Sequence, residues 1–232
     1  RLSQASRAPD ESLLGRHFPV DRQRDFSRAV AERLGFDFQV GRIDDTVHPF
    51  CAGIGLGDAR IAVRYSPNDF TQGLLSVIHE LGHAFYELGL DPEHYGTPLA
   101  NPASPGIHES QSRLWENLVA RSEGFWRCFL PQAQKIFGAT LTDVSIEQIH
   151  FAINRVKPTL IRAEADEVTY NLHIIVRFEL ERALINGDLN AADVPAAWND
   201  RYKRYLGITP PSDRLGCLQD CHWANGLFGY FP

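Results

Sequence analysis

A mainly α-helical fold with one small β-sheet is what the sequence predicts, on three observations. Apolar residues recur at three- and four-residue spacing through most of the chain, helix-capping patterns open several of these stretches, and one glycine-rich region replaces the pattern with short alternating runs. Residues 21–34, "DRQRDFSRAVAERL", form the first helix, with Phe26, Val30 and Leu34 four apart on one face. Between Phe36 and Tyr65, "FDFQV", glycine-rich "CAGIGLGD" and alternating "ARIAVRY" read as short strands joined by turns. A long helix then runs from about Thr71 to Leu88. After the proline-rich loop "GLDPEHYGTPLANPASPG", the next helix starts at Ser104 and Pro105, a cap followed by a first-turn proline. Ser145 and Gln148 make a capping-box pattern for a helix over 145–156, and two more helices cover 158–186 and 194–206. The glycine- and aromatic-rich tail "GCLQDCHWANGLFGYFP" reads as a loop. No repeat and no linker interrupts the chain, so residues 1–232 are expected to form one domain.

Composition narrows the function. Apolar content of 44% with 22% charged residues is that of a packed globular chain rather than a disordered one. A net charge of −6 with the two signs interspersed leaves no basic face for nucleic acid. The longest apolar runs, such as "LHIIV" at 172–176, are too short to span a bilayer, so no membrane association is expected. The opening "RLSQASRAPDES" lacks the apolar core of a signal peptide, and four cysteines do not make a disulfide scaffold, so reduced thiols and a cytoplasmic location are the expectation. The chain contains no methionine, even at its start, as a fragment or processed product would.

The stretch "SVIHELGHAFYELG", residues 76–89, carries the chemistry. On a helix four residues rise about 6 Å and turn about 40° past a full circle, so His79 and His83 project side by side. That suits two imidazoles binding one Zn²⁺ at about 2.1 Å each. Leu74, Ile78, Leu81, Phe85 and Leu88 form an apolar stripe almost opposite the histidines, which therefore face away from the helix's own packing surface. Glu80 lies on the flank, where it reaches a water activated by the metal, takes its proton and passes it to a leaving amine. A catalytic site needs a third protein ligand, and His94, His108, Glu109 and Glu116 all lie downstream at usable distance. Glu109, in the first turns of the next helix, has the more rigid platform; His108 points about 100° away from it.

These residues, taken with others in the same order, carry a resemblance. "HPF" at 48–50, "DAR" at 58–60, "HELGH" at 79–83, "HESQS" at 108–112, "IRAEADE" at 161–167 and "GCLQDCHW" at 216–223 resemble the thermostable carboxypeptidase (Taq-type) family of zinc metallocarboxypeptidases. The resemblance implies a zincin-like metallopeptidase core with the zinc helix beside a deep groove. It implies His79, His83 and Glu109 as zinc ligands, replaceable by Co²⁺ or another divalent metal, and Glu80 as general base. The implied reaction removes single residues from peptide C-termini with broad specificity, in a cytoplasmic homodimer. The alternatives are an endopeptidase on the same helix, or an inactive metal-binding fragment. The chain departs from the family at Ala62, where a threonine is common, and is considerably shorter than its members.

An exopeptidase must also recognise a free carboxylate, for which paired guanidinium N–H donors are best suited. Arg162 is the first candidate, with Arg60 and Arg64 behind it; the competing role is an ion pair with Glu164, Asp166 or Glu167, which are themselves candidates to orient the ligand histidines. His222 and Tyr230 are candidate donors to the oxygen on which amide hydrolysis builds charge, and His48 a donor lining the site.

Overall fold

The computed structural model describes residues 9–47, 49–219 and 221–230. Within it the chain forms two compact units, residues 7–153 making one and residues 154–232 most of the other. Both are predominantly helical, and among the described residues there is one sheet, of three strands.

The first unit contains α1 (Val20–Leu34), β1 (Gly41–Asp45), β2 (Phe50–Ala52), β3 (Ala59–Val63), α2 (Phe70–Leu88), α3 (Pro105–Arg113), α4 (Glu123–Phe137) and α5 (Ile146–Ile153). β3 is the central strand, parallel to β1 and antiparallel to β2, with Ile61 opposite both Ile43 and Cys51. Its Ala59, Ile61 and Val63 are fully covered, because α2 lies across the sheet.

α2 is held from two sides. Val77, Leu81 and Ala84 join Phe36, Ile61 and Val63 in one apolar cluster, while Phe70, Leu74 and Ile78 join Phe18, Phe26, Trp126 and Phe137 in another. Each large side chain buried in this way contributes about 1.5–3 kcal/mol, so neither the rotation nor the height of α2 is free to drift. His79 and His83 lie on the remaining face, partly accessible to solvent.

α4 is not among the helices expected from the sequence, because Pro131 stands inside it and proline supplies no N–H to the helical ladder. Packing overrides that cost. Ser122 caps the helix, and Trp126, Phe129, Leu130, Ala133 and Phe137 recur at helical spacing against the larger cluster while Pro131 takes the exposed side. The expected capping box of α5 is present in both directions: Ser145 N–H donates to Gln148 Oε1 at 2.8 Å and Gln148 N–H to Ser145 Oγ at 3.2 Å.

The second unit contains α6 (Glu167–Asn186), α7 (Val194–Leu206) and α8 (Cys221–Ala224) around Val176, Leu180, Trp198, Tyr202 and Leu206. α6 begins at Glu167 rather than at 158. The Asp166 carboxylate accepts from the backbone N–H groups of Val168 and Thr169, each at 2.9 Å, and fixes the start there. The tail is not wholly a loop, since it contains short 3₁₀ turns as well as α8. Among the described residues no helix is long and apolar enough to cross a membrane.

Candidate metal centre

α2 starts at the Asp69 cap, whose carboxylate accepts from the Gln72 N–H at 3.0 Å. α3 starts at Ser104, whose hydroxyl oxygen accepts from the Ile107 N–H at 3.1 Å. The two helices meet at Gly82. A Cβ added there would stand 2.5 Å from Ser112 Cα and 2.7 Å from the Gln111 carbonyl oxygen. The absent side chain is what lets the α3 backbone approach, and it brings Glu109 over the histidine face.

One donor atom from each of His79, His83 and Glu109 lies within 4.8 Å of the other two. Glu109 Oε2 is 3.7 Å from His79 Nε2 and 3.3 Å from His83 Nε2. Ligand bonds of about 2.1 Å in a tetrahedral arrangement would put donor atoms about 3.4 Å apart, so this set fits a single cation of zinc's size.

The other ring nitrogens are engaged elsewhere. His79 Nδ1 lies 2.9 Å from Glu116 Oε2, and Arg113 Nη1 donates to the same oxygen at 2.9 Å, with Arg121 Nη2 3.4 Å from Oε1. Glu116 reaches this position from a π-helical segment, Leu114–Ala120, that directly continues α3. Wider winding of this kind turns side chains off the α-helical register and is frequent at functional sites. His83 Nδ1 hydrogen-bonds His108 Nδ1, and His108 Nε2 lies 2.7 Å from Glu87 Oε1. Both histidines thus present Nε2 to the common point.

The charges are arranged for a cation. Burial alone would raise the Glu116 carboxyl, but the hydrogen bond from His79 and the charges of Arg113, His79 and Arg121 bring it down to about 2. Burial likewise works against ionised Glu109, and the bond to His83 with the positive charges around it holds the carboxyl below its ordinary range. Burial pushes the His79 imidazole down; the Glu116 bond and the charges of Glu109, Glu116 and Glu80 outweigh it and hold it above 6.5. The carboxylates of Glu109, Glu116 and Glu80 that favour positive charge on His79 also favour a cation beside it. Glu80 is itself buried on α2 beside the histidines. Burial, and then the charges of Glu80 and Glu87, push the neighbouring Cys51 thiol up to about 12, which keeps it protonated. An open cleft of about 680 Å³ between the β2–β3 turn and the loop after α2 includes Glu87 in its wall.

His48 is outside the described residues. Arg60, on β3, pairs with Asp58 at 3.0 Å on the exposed side of the strand. In the second unit, Arg162 donates to the Tyr170 hydroxyl and lies 5.5 Å from that ring's centre. Asp166 caps α6, and the groups bonded to the outer ring nitrogens of His79 and His83 are Glu116 and His108. His222 and Tyr230 are together, with ring centres 5.3 Å apart. Buried Arg177 on α6 lies 3.2 Å from His222 Nδ1 and donates to the Tyr230 carbonyl at 3.3 Å. Buried Glu181, one turn on, accepts from the Trp223 indole at 2.8 Å and from the Gly229 N–H. Sequence reasoning passes over Arg177 and Glu181. Their signal is two opposite charges four apart on α6, beside the apolar Val176 and Leu180.

The family model for carboxypeptidase Taq (M32) metallopeptidases matches residues 1–232. The chain is 53% identical to thermostable carboxypeptidase 1 of Thermus thermophilus, covering 100% of this chain and 45% of that protein. It is 44% identical to carboxypeptidase 1 of Bacillus subtilis, covering 100% of this chain and 46% of that one. Among solved structures, the Pyrococcus furiosus carboxypeptidase described as Apo-Mg superposes with a TM-score of 0.94 at 39% identity, over 100% of this chain and 47% of that chain. The M32 carboxypeptidase of Deinococcus radiodurans R1 gives 0.92 at 46% identity, over 97% and 45%. The chain therefore spans about half the length of the relatives it matches.

Proposed function

Because the chain belongs to the carboxypeptidase Taq (M32) metallopeptidase family, we propose that it forms the metal-binding core of a zinc carboxypeptidase that removes C-terminal residues from peptides with broad side-chain tolerance. The observation that carries this reading is the convergence of His79, His83 and Glu109 on one point, with both histidines offering Nε2. A divalent cation held there supplies Lewis acidity toward a peptide carbonyl and toward water.

The chain's own residues do the rest. Glu80, buried beside the ligands, takes the proton of the attacking water and returns it to the departing amine nitrogen. Arg162 binds the free carboxylate of the chain end through its planar N–H fork, held in place by Tyr170, with Arg60 as the second candidate. His222 accepts from Arg177 at Nδ1, since arginine has no lone pair to offer; a neutral imidazole then carries its proton on Nε2 and donates there, as Tyr230 does through its hydroxyl. The same reading includes a cytoplasmic setting and a homodimer. The exposed Val168, Ile175, Phe178 and Ile185 on α6 support the latter, as apolar surface that a second copy would cover.

Metal analysis joined to a peptide assay tests the proposal. One equivalent of zinc and stepwise trimming from the C-terminus are expected. Glu80→Gln should lower kcat by about 10²–10⁴ with metal content unchanged. Protein without stoichiometric metal, undiminished hydrolysis by the variant, or internal cleavage would each reject it.

A further inference from the structure

Outside the three donors, His108 stands directly before Glu109 on α3 and touches the ligand set. Its Nδ1 meets His83 Nδ1, its Nε2 lies 2.7 Å from Glu87 Oε1, and its ring packs edge-on against Tyr86 with centres 5.0 Å apart. Glu87 follows His83 by one turn of α2, so the relay begins and ends on the helix that carries the ligand. His108 does not point at the common metal position: it touches the ring nitrogen of His83 on the far side from Nε2.

We propose that His108 is a positioning residue for the metal, and that Glu87 sets the proton arrangement that makes it one. This rests on His83 being a ligand through Nε2. For that lone pair to be free, a neutral His83 must carry its proton on Nδ1. Nδ1–H then has to donate to His108 Nδ1, which must be unprotonated and must therefore keep its own proton on Nε2. Glu87, an acceptor only, sits where that Nε2–H donates. One arrangement of protons satisfies all three contacts. If His108 took its other tautomer, two N–H groups would face each other, and His83 would be driven to protonate the nitrogen that the metal needs. Glu87 excludes that tautomer, so the relay keeps His83 in its ligating form and fixes the plane of its ring. Outer partners of this kind typically change metal affinity by about 10–100-fold.

Zinc affinity of the purified protein, by competition with a chromophoric chelator, tests the relay, with nitrogen-15 spectra of the imidazoles as a readout independent of turnover. His108→Phe keeps a ring but removes the acceptor, and should weaken zinc binding by about 10–100-fold while the metal-free melting temperature stays within a few degrees. His108→Asn places an amide oxygen close to the former Nδ1 and should restore most of the affinity. Glu87→Gln, which retains an acceptor oxygen, should lose less than the phenylalanine variant. In the spectrum of the zinc-loaded wild type His83 should be protonated at Nδ1 and His108 at Nε2. Zinc affinity of His108→Phe within about threefold of wild type, or a His108 protonated at Nδ1 in the zinc-loaded protein, overturns the inference. Should the phenylalanine variant fail to fold, the wild-type spectrum decides alone. Wild-type protein that takes up no zinc rejects the ligand reading itself, whereas tight wild-type binding with no effect of the variants rejects only the relay.

Discussion

Replacing Gly82 by alanine sets two calculable effects against each other. Gly82 lies mid-helix in α2, where alanine is worth about 1 kcal/mol more helix stability than glycine. The new Cβ, however, would stand 2.5 Å from Ser112 Cα, 2.7 Å from the Gln111 oxygen and 2.9 Å from Ser112 N, against an ordinary contact of 3.4–4 Å. All three atoms are backbone, so no side chain can swing aside. α3 has to retreat by about 1 Å, at the roughly 1–3 kcal/mol typical of overpacking, and the upper part of that range applies to a rigid neighbour. The net expectation is a loss of about 1–2 kcal/mol in stability. Metal binding should suffer more, because the retreat acts along the line joining the ligands. Glu109 is one turn before Ser112 and His83 adjoins Gly82, so their 3.3 Å separation stretches toward 4 Å. Ligand bonds tolerate about 0.2 Å, and a drop in zinc affinity of at least tenfold follows. Gly73→Ala, on the same helix, is the control. Its Cβ would meet ring atom Cδ1 of Tyr65 at 2.8 Å and Oε1 of Gln23 at 3.1 Å, side-chain atoms rather than the backbone that carries Glu109. Thermal melts and chelator competition on the two variants read the outcome. A Gly82→Ala protein that gains about 1 kcal/mol and keeps wild-type zinc affinity would refute the close-approach argument.

Two further outcomes concern the second unit. Burial, and then the charge of Arg162, push the His173 imidazole from 6.5 down to about 4, so the unfolded chain takes up this proton first. Its contribution is fully present above pH 6.5 and is lost as pH falls toward 4. The span of about 2.5 pH units corresponds to about 3 kcal/mol, read as the difference between denaturation profiles of wild type and His173→Gln; parallel profiles would contradict it. Glu181→Ala strips the acceptor from the Trp223 indole and the Gly229 N–H, and should cost about 1–3 kcal/mol with a red shift in tryptophan emission as the tail detaches; an unshifted spectrum would show that the tail is held by other contacts.

Several features that depend on one helix alone were carried by the sequence. The pairing of His79 with His83 follows from four-residue spacing, and Phe70–Leu88 was legible to within a residue because cap, stripe and stop agree. The start of α3 was equally plain, since Ser104 and Pro105 encode it locally. α4 was hidden by Pro131, whose cost is visible in the sequence while the packing that offsets it is not. The beginning of α6 was misplaced because Asp166 looks like any member of an acidic run until its carboxylate is seen accepting backbone N–H groups.

The orienting groups of the metal centre were out of reach for a more specific reason. Spacing fixes directions within one helix, but the contact of His83 with His108 depends on how closely α2 and α3 approach, and that is set by what Gly82 lacks. Glu116 was one of four possible ligands downstream, and a wheel at 100° per residue carries it onto the face of Glu109. The π winding over Leu114–Ala120 turns it instead onto the outer nitrogen of His79, where Arg113 and Arg121 can reach it. The same departure from α geometry that defeats the wheel therefore separates the two carboxylates into different tasks: Glu109 toward the common point, Glu116 behind the ring. Had α3 continued unbroken, both would compete for one position, and His79 would lack the anion that holds its proton on Nδ1.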